Sequence, residues 1–339
     1  MDTFGRNYRV SVFGESHGPA IGVLLDGVPA GIGLSVHDFM ADIDRRRSGA
    51  KGTTPRKESD IPHFVSGVYE DHTTGAPLAV IFRNENTRSQ DYSLFRSVPR
   101  PGHADFVAGV RWHGFSDPRG GGHFSGRLTL PLVAAGVVAK KILAASDRSG
   151  HPVSIAAGLE EIGGVPVSEP GHEALWERIL DQAMQEGDSI GGIVGCTVTG
   201  LAPGLGEPFF DSVESLLSHI VFAIPGVRGI EFGDGFRAAR MKGSEHNDVF
   251  VSSRGECATN GAGGINGGMT NGNPLVFRVA FKPTSSIRKT QRTFDFSRGE
   301  MTDLEVPGRH DVCFALRTPV IVEAAAAIVL ADLVLTAAR

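Results

Sequence analysis

The stretch TPVIVEAAAAIVLADLVLTAA (318–338) constrains this chain more than any other. It is long enough to cross a bilayer, yet it carries Glu323 and Asp332, each costly in lipid. The reading it supports is a helix buried in the core of a soluble protein. At 339 residues, 41% hydrophobic and 21% charged, the chain has enough material to surround such a helix.

Strand-like and helix-like segments interleave irregularly. YRVSVF and PAIGVLLDG read as strands joined at a bend, HFVSGVYE and PLAVIFRN as further strands, and VSIAAGLEEIGGVPV, IGGIVGCTVTGL, GVRGIEFGDGF and NPLVFRVAF as a later set. Helices are expected at SVHDFMADIDRRRSG, with Ser35 as N-cap, at ADFVAGVRWHG, at PGHEALWERILDQAMQEGDS, and at FDSVESLLSHIVFAI with a box-like Asp211-x-x-Glu214 start. The hairpin-like pairing favours an α+β fold over a doubly wound sheet. The apolar helices LTLPLVAAGVVAKKIL and RTPVIVEAAAAIVLADLVL each follow a glycine-rich or basic loop, about 190 residues apart, which hints at an internal duplication. No low-complexity linker divides the chain, so residues 1–339 read as one domain.

Net charge is −5, against a nucleic-acid footprint over the whole surface. Basic residues nevertheless cluster in DRRRSGAK and around a glycine run, as Arg119 and Arg127. Local basic pockets on an acidic protein point to a small, highly anionic ligand. In the helix ending at RRR, Arg46 is best placed to face the apolar side, three residues after Ile43. The three cysteines, Cys196, Cys257 and Cys313, have no disulfide or zinc spacing and suit a reducing, cytoplasmic setting, and no secretory signal is visible.

Glycine is the compositional outlier, 45 of 339, about twice average usage. RGGGHFSGR (119–127) enters a helix and is either an anion cradle or a turn that needs positive φ. No Walker A loop is present, and GDGFRA lacks the βαβ context of a dinucleotide fingerprint. GESHG (14–18) matches G-x-S-x-G, but a nucleophile elbow needs a strand before it and a helix after it, and here a second strand follows. His17 and His103 sit on glycine-bearing turns, where a histidine can move protons near neutral pH. His310 and Asp311 form a third polar turn. Nothing has metal-ligand spacing.

Ten strings, FGESHG, DRRRSG, RSQDY, RPGHAD, RGGGHFSGR, GLGEPFFDS, IPGVRGIEFGDGF, AGGINGG, KPTSSI and GRHDVC, run in that order from residue 13 to residue 313. Together they resemble the chorismate synthase family over essentially the whole chain. The resemblance implies a β-α-β sandwich, a homotetramer, and the anti 1,4-elimination of phosphate from 5-enolpyruvylshikimate 3-phosphate, with reduced FMN and no net redox change. It implies NADPH as a reductant of the flavin, and no membrane or nucleic-acid partner. It assigns His17 and His103 as the catalytic histidines, one protonating reduced flavin and one assisting the departing phosphate, and Asp311 as the aspartate that helps the flavin N5 accept the ring proton. Binding of FMN maps to His123, Phe124 and Ser125, to Pro225 and Gly226, to Gly267, to Lys282, Pro283, Thr284, Ser285 and Ser286, and to Arg309. Arg46 and Arg127 map to substrate or NADP contact.

The chain departs from the commoner family pattern in three places. HFSGR replaces RSSGR or RSSAR, Pro225 replaces a polar residue, and a second arginine after the RRR run is missing, with Lys51 or Arg56 as substitutes. Rival readings are a flavin-dependent oxidoreductase, a non-catalytic flavin- or phosphate-binding module, and a serine hydrolase.

Overall fold

In the computed structural model, which describes residues 2–54, 58–85, 92–146, 152–308 and 310–338, the hairpin-like pairs of the sequence become two antiparallel five-stranded sheets. The first contains β1 (Thr3–Phe4), β2 (Arg9–Gly14), β3 (Ala20–Asp26), β4 (His63–Ser66) and β5 (Leu78–Arg83), in the order β1-β2-β3-β5-β4. In β5, Leu78, Val80 and Phe82 are buried and alternate with more exposed neighbours, the period-two pattern of a sheet with one face on the core. Gly14 of β2 pairs with Ile21 of β3, so GESHG is the bend of an antiparallel hairpin. A strand-to-helix elbow is absent there, and the buried Ser16 uses its backbone N–H on the Gly122 carbonyl (3.1 Å).

Helix α1 (His37–Arg46) lies between β3 and β4 in the chain, and α2 (Asp105–Arg111) and α3 (Thr129–Ser146) follow the first sheet. The second sheet holds β6 (Ser154–Ile162), β7 (Val165–Pro166), β8 (Gly192–Thr199), β9 (Val227–Phe232) and β10 (Leu275–Phe281), ordered β9-β10-β8-β6-β7. Helices α4 (His172–Glu186) and α5 (Val213–Val221) are inserted among these strands, and α6 (Pro319–Ala337) ends the fold.

Helix α3 packs on β3 and β5, α6 packs on β6 and β8, and the two helices pack on each other. The layers are therefore sheet, helices, sheet, a β-α-β sandwich of the α+β class. Each half of the chain follows one plan, an antiparallel sheet and then a long apolar helix, which fits the expected duplication. Both long helices are apolar enough to cross a membrane, but 72% and 78% of their most apolar windows are buried inside the protein.

The two acids of α6 explain their own presence. Glu323 accepts from both Arg45 guanidinium nitrogens (2.7 Å each), from the Ala157 backbone N–H (2.9 Å) and from Lys140 (3.3 Å). Burial alone would raise its pKa, but these partners outweigh burial and hold it below the usual range. Asp332 accepts the backbone N–H groups of Arg6, Asn7 and Tyr8, pinning the start of β2 to the helix.

Two expected caps are placed differently. Ser35 does not cap α1; its N–H and hydroxyl instead donate to Asp38 Oδ2 (2.7 and 3.1 Å), because the chain enters the helix through Val36 in helical geometry. At α5 the cap is Ser212, whose Oγ accepts from the Ser215 N–H (3.1 Å), while Asp211 is turned outward to Arg6.

Where α3 and α6 cross, Gly136 leaves no room for a side chain: a Cβ there would lie 2.3 Å from the Ala324 Cβ. Gly136→Ala is therefore expected to cost about 1–3 kcal/mol by overpacking, despite the better helix propensity of alanine. Urea unfolding measures it. Gly109→Ala, in α2 with nothing within 4 Å of the added carbon, is the control and should be neutral or slightly stabilising.

Candidate active site

The glycine-bearing turns of the sequence converge on one cavity of about 770 Å³. Its wall is built from the β2–β3 bend, the end of α1, the RPGHAD loop, the glycine loop before α3, the Pro225–Gly226 turn, the KPTSSI segment after β10, and Gly308, His310, Asp311, Phe314 and Arg317.

His17 and His103 meet on consecutive glycines. Gly120, Gly121 and Gly122 have φ values of 59°, 84° and 53°, a left-handed run that side chains rarely adopt. A Cβ on Gly120 would lie 2.5 Å from His17 Nε2, and one on Gly121 3.5 Å from His103 Nε2. The glycine loop thus serves both as a left-handed turn open only to glycine and as the surface on which two imidazoles close in. His17 also packs edge-to-face on Tyr92 (5.5 Å, 88°).

Positive charge lines the cavity. Among the described residues, seven Arg and Lys side chains face three acids, Glu58, Asp60 and Asp311, which leaves a formal excess of four. At the buried end Asp60 bridges two arginines, accepting from Arg46 Nη2 and Arg127 Nη1 at 2.9 Å each. Burial would raise the Asp60 carboxyl, but Arg46 and Arg127 overcome it and lower its pKa. Burial pushes Arg46 down to about 10 in spite of Asp60. Asp311 is held by the Thr54 N–H (2.8 Å) and by Arg317 Nη2 (2.7 Å). Lys282 donates to the Gly102 carbonyl and to Ser285 Oγ (2.7 Å each), and burial, with Arg228 nearby, lowers its pKa.

The RPGHAD loop is cross-braced. Asp105 Oδ1 is 2.6 Å from His103 Nδ1, and Arg100 donates to both Asp105 oxygens from Nε (2.7 Å) and Nη2 (2.8 Å). Arg100 Nη1 reaches Ser286 Oγ at 3.0 Å. Desolvation opposes ionisation of Asp105, but Arg100 and His103 prevail and hold its carboxyl far below the usual range.

Five buried polar atoms in the wall have no partner among the described residues: Nε of Arg46, Arg47 and Arg317, the Thr284 hydroxyl and His310 Nε2. Buried groups are seldom left unpaired in a finished structure. A polar ligand or ordered water in the cavity would complete this wall.

Most residues singled out from the sequence line the cavity: His17, Arg46, His103, Phe124, Ser125, Arg127, Pro225, Gly226, Lys282 through Ser286, and Asp311. His123 and Gly267 are not in this wall. The His123 ring is turned to the Gly14 carbonyl (2.8 Å), and Gly267 lies on a separate small hairpin. Arg309 and Arg56 lie outside the described residues, as does most of RSQDY. Lys51 is spent on an exposed pair with Asp181 (2.8 Å) and does not reach the cavity. Asp60, Arg100, Asp105 and Arg317 were not foreseen. Arg100 and Asp105 were legible as the charged residues bracketing His103, whereas no local pattern marks Asp60.

A β-α-β sandwich around a cationic cavity lined by two histidines defines an enzyme that acts on a small molecule. The chorismate synthase family model matches residues 8–335. A chorismate synthase from Chitinophaga pinensis is 59% identical over 339 residues, covering 100% of this chain and 98% of the relative. One from Thermococcus kodakarensis is 43% identical over 346 residues, covering 97% and 96%. A crystal structure of a chorismate synthase superposes with a TM-score of 0.73 at 26% identity, covering 97% of this chain and 92% of that one. The chain belongs to the chorismate synthase family, and is accordingly a carbon–oxygen lyase.

Asp60→Asn would leave Arg46 and Arg127 buried without their shared counter-charge, an expected loss of about 3–5 kcal/mol at neutral pH. A carboxylate with a lowered folded pKa stabilises fully above its unfolded value of about 4 and loses that contribution as pH falls through the folded value. The gap between wild type and variant in urea unfolding should therefore narrow as pH drops below about 4. A gap independent of pH would count against the assignment.

Proposed function

We propose that this cavity converts 5-enolpyruvylshikimate 3-phosphate to chorismate by anti 1,4-elimination, breaking the C–O bond to phosphate as a ring proton leaves, with reduced FMN as cofactor. The observation that carries the reading is the formal excess of four cations around a cavity whose edge brings two imidazoles onto adjacent glycines. Two carboxylates and a phosphate near −2 give the substrate a charge of about −4, opposite in sign to the lining.

The unpaired donors suit the anionic groups. Arg46 and Arg127, buried and fixed by Asp60, are positioned for a substrate anion; Arg46 is 3% exposed and better suited to this than to a surface nucleotide. His17 and His103 are the proton-transfer pair, and holding a proton at Nε2 of one of them would assist the departing phosphate. Asp311, clamped by Arg317 and the Thr54 N–H, is the carboxylate beside the ring-proton site.

The wall also fits a flavin. The open turn at Gly226 (φ 86°) admits a flat ring close to the backbone, Phe124 and Phe314 supply apolar faces, and the Thr284 hydroxyl awaits a partner. Phe124, Ser125, Pro225, Gly226, Lys282 through Ser286, and Arg309 would hold FMN; His123 and Gly267 have less support, lying off the wall. Reduced FMN, when bound, supplies an electron-rich ring that allows the elimination without net redox change. NADPH is the proposed source of its electrons.

A homotetramer is the proposed assembly, supported by Phe115, Phe209, Phe210 and Phe236, each at least 82% exposed. The three free cysteines support a cytoplasmic location.

Phosphate release and chorismate absorbance, followed anaerobically with chemically reduced FMN, test the reaction. Wild type should turn over only with reduced flavin, and His17→Ala and His103→Ala should each lose about 10²–10⁴-fold. Turnover with oxidised flavin, or variants as fast as wild type, would overturn the proposal.

A further inference from the structure

We infer that Asp105 is the positioning residue of His103: it fixes a proton on Nδ1, so that Nε2 is the atom offered to the cavity, and Arg100 locks the pair to the KPTSSI segment. The consequence for turnover rests on the functional reading above, but the tautomer does not.

Hydrogen-bond bookkeeping around Asp105 dictates the proton's place. Oδ2 accepts from the Arg100 backbone N–H (3.1 Å) and from Arg100 Nε (2.7 Å). Oδ1 accepts from Arg100 Nη2 (2.8 Å) and lies 2.6 Å from His103 Nδ1. A carboxylate and a bare imidazole nitrogen cannot approach that closely with two lone pairs facing, so Nδ1 carries hydrogen and donates. Arg100 Nη2 is also 3.1 Å from Nδ1, but a guanidinium only donates and cannot replace the carboxylate as acceptor. The other ring nitrogen, Nε2, points at the Gly121 position of the glycine loop, the side on which His17 approaches Gly120.

The brace is held from several directions. Asp105 opens α2, where a negative charge suits the helix dipole. Arg100 is buried, stacks over the Phe95 ring at 4.6 Å, and donates from Nη1 to Ser286 Oγ at 3.0 Å. His103 is thereby connected rigidly to the segment proposed to hold the flavin. Carboxylate–histidine pairs of this kind set ring orientation and tautomer elsewhere in enzyme chemistry.

Asp105→Asn makes a specific prediction. The amide oxygen is favoured at the Oδ2 place, where two Arg100 donors converge against the single Nη2 donor at Oδ1, so the amide NH₂ turns to His103 Nδ1 and gives up the Nη2 contact. A donor there demands a bare Nδ1 and drives the proton to Nε2. Asp105→Glu keeps an acceptor and should restore the original tautomer.

The test uses ¹⁵N-histidine-labelled, flavin-free protein at a pH where the ring is neutral, read by long-range ¹⁵N–¹H correlation, with His103→Ala identifying the signal. Wild type and Asp105→Glu should show protonated Nδ1, and Asp105→Asn protonated Nε2. In the elimination assay with reduced FMN, Asp105→Asn should lower kcat by about 10–100-fold with KM within about threefold, and Asp105→Glu should recover most of it. Wild-type His103 protonated on Nε2 would overturn the inference without any variant. So would an Asp105→Asn protein that keeps the Nδ1 proton, or one with unchanged kcat. A wild type with the Nδ1 proton but no elimination would support the tautomer and defeat the functional reading instead.

Discussion

The ion cluster around Glu323 is the interaction on which the rest of the structure depends. A carboxylate 2% exposed in the middle of an apolar helix is tolerable only if its charge and lone pairs are met. Arg45 meets it from α1, Lys140 from α3 and the Ala157 N–H from β6, so one side chain joins the helix layer to the second sheet. Asp332, two turns further on, ties the same helix to the start of β2 in the first sheet. The acids that make α6 a poor membrane helix are the groups that fasten it between two sheets.

The cavity inherits its geometry from that cluster. With Arg45 bound to Glu323, the next residue is turned by about 100° and sends Arg46 into the wall, where it meets Asp60. Arg127, arriving from the glycine loop just before α3, takes the other Asp60 oxygen. The excess of positive charge is thus set in place before any ligand arrives, and it is held by acids that fold with it. Preorganised charge of this kind costs no rearrangement when an anion enters.

The glycine loop brings His17 and His103 together by steric means. An alanine at Gly120 or Gly121 would face a strained backbone, and at Gly120 it would also collide with the His17 ring. HFSGR differs from the commoner family loop without disturbing this arrangement, because the contact is made by Gly120 and Gly121, which precede it. The unfamiliar His123 has found work at the β2 end, its ring on the Gly14 carbonyl.

Much of this was written in the sequence. Alternation in segments such as LVFRVAF marked the sheet strands, the apolar run 318–338 marked the central helix, and glycine-bearing strings marked the turns that line the cavity. These signals are local, because side-chain periodicity and positive φ are decided within a few residues. The partnerships were not legible: Asp60 with Arg46 and Arg127, Asp311 with Arg317, Gly136 with Ala324, and His17 beside His103. Each depends on which surfaces the two sheets press against the helices between them. A charged residue in a string of sequence carries no record of the distant group that will neutralise it, and only packing decides that.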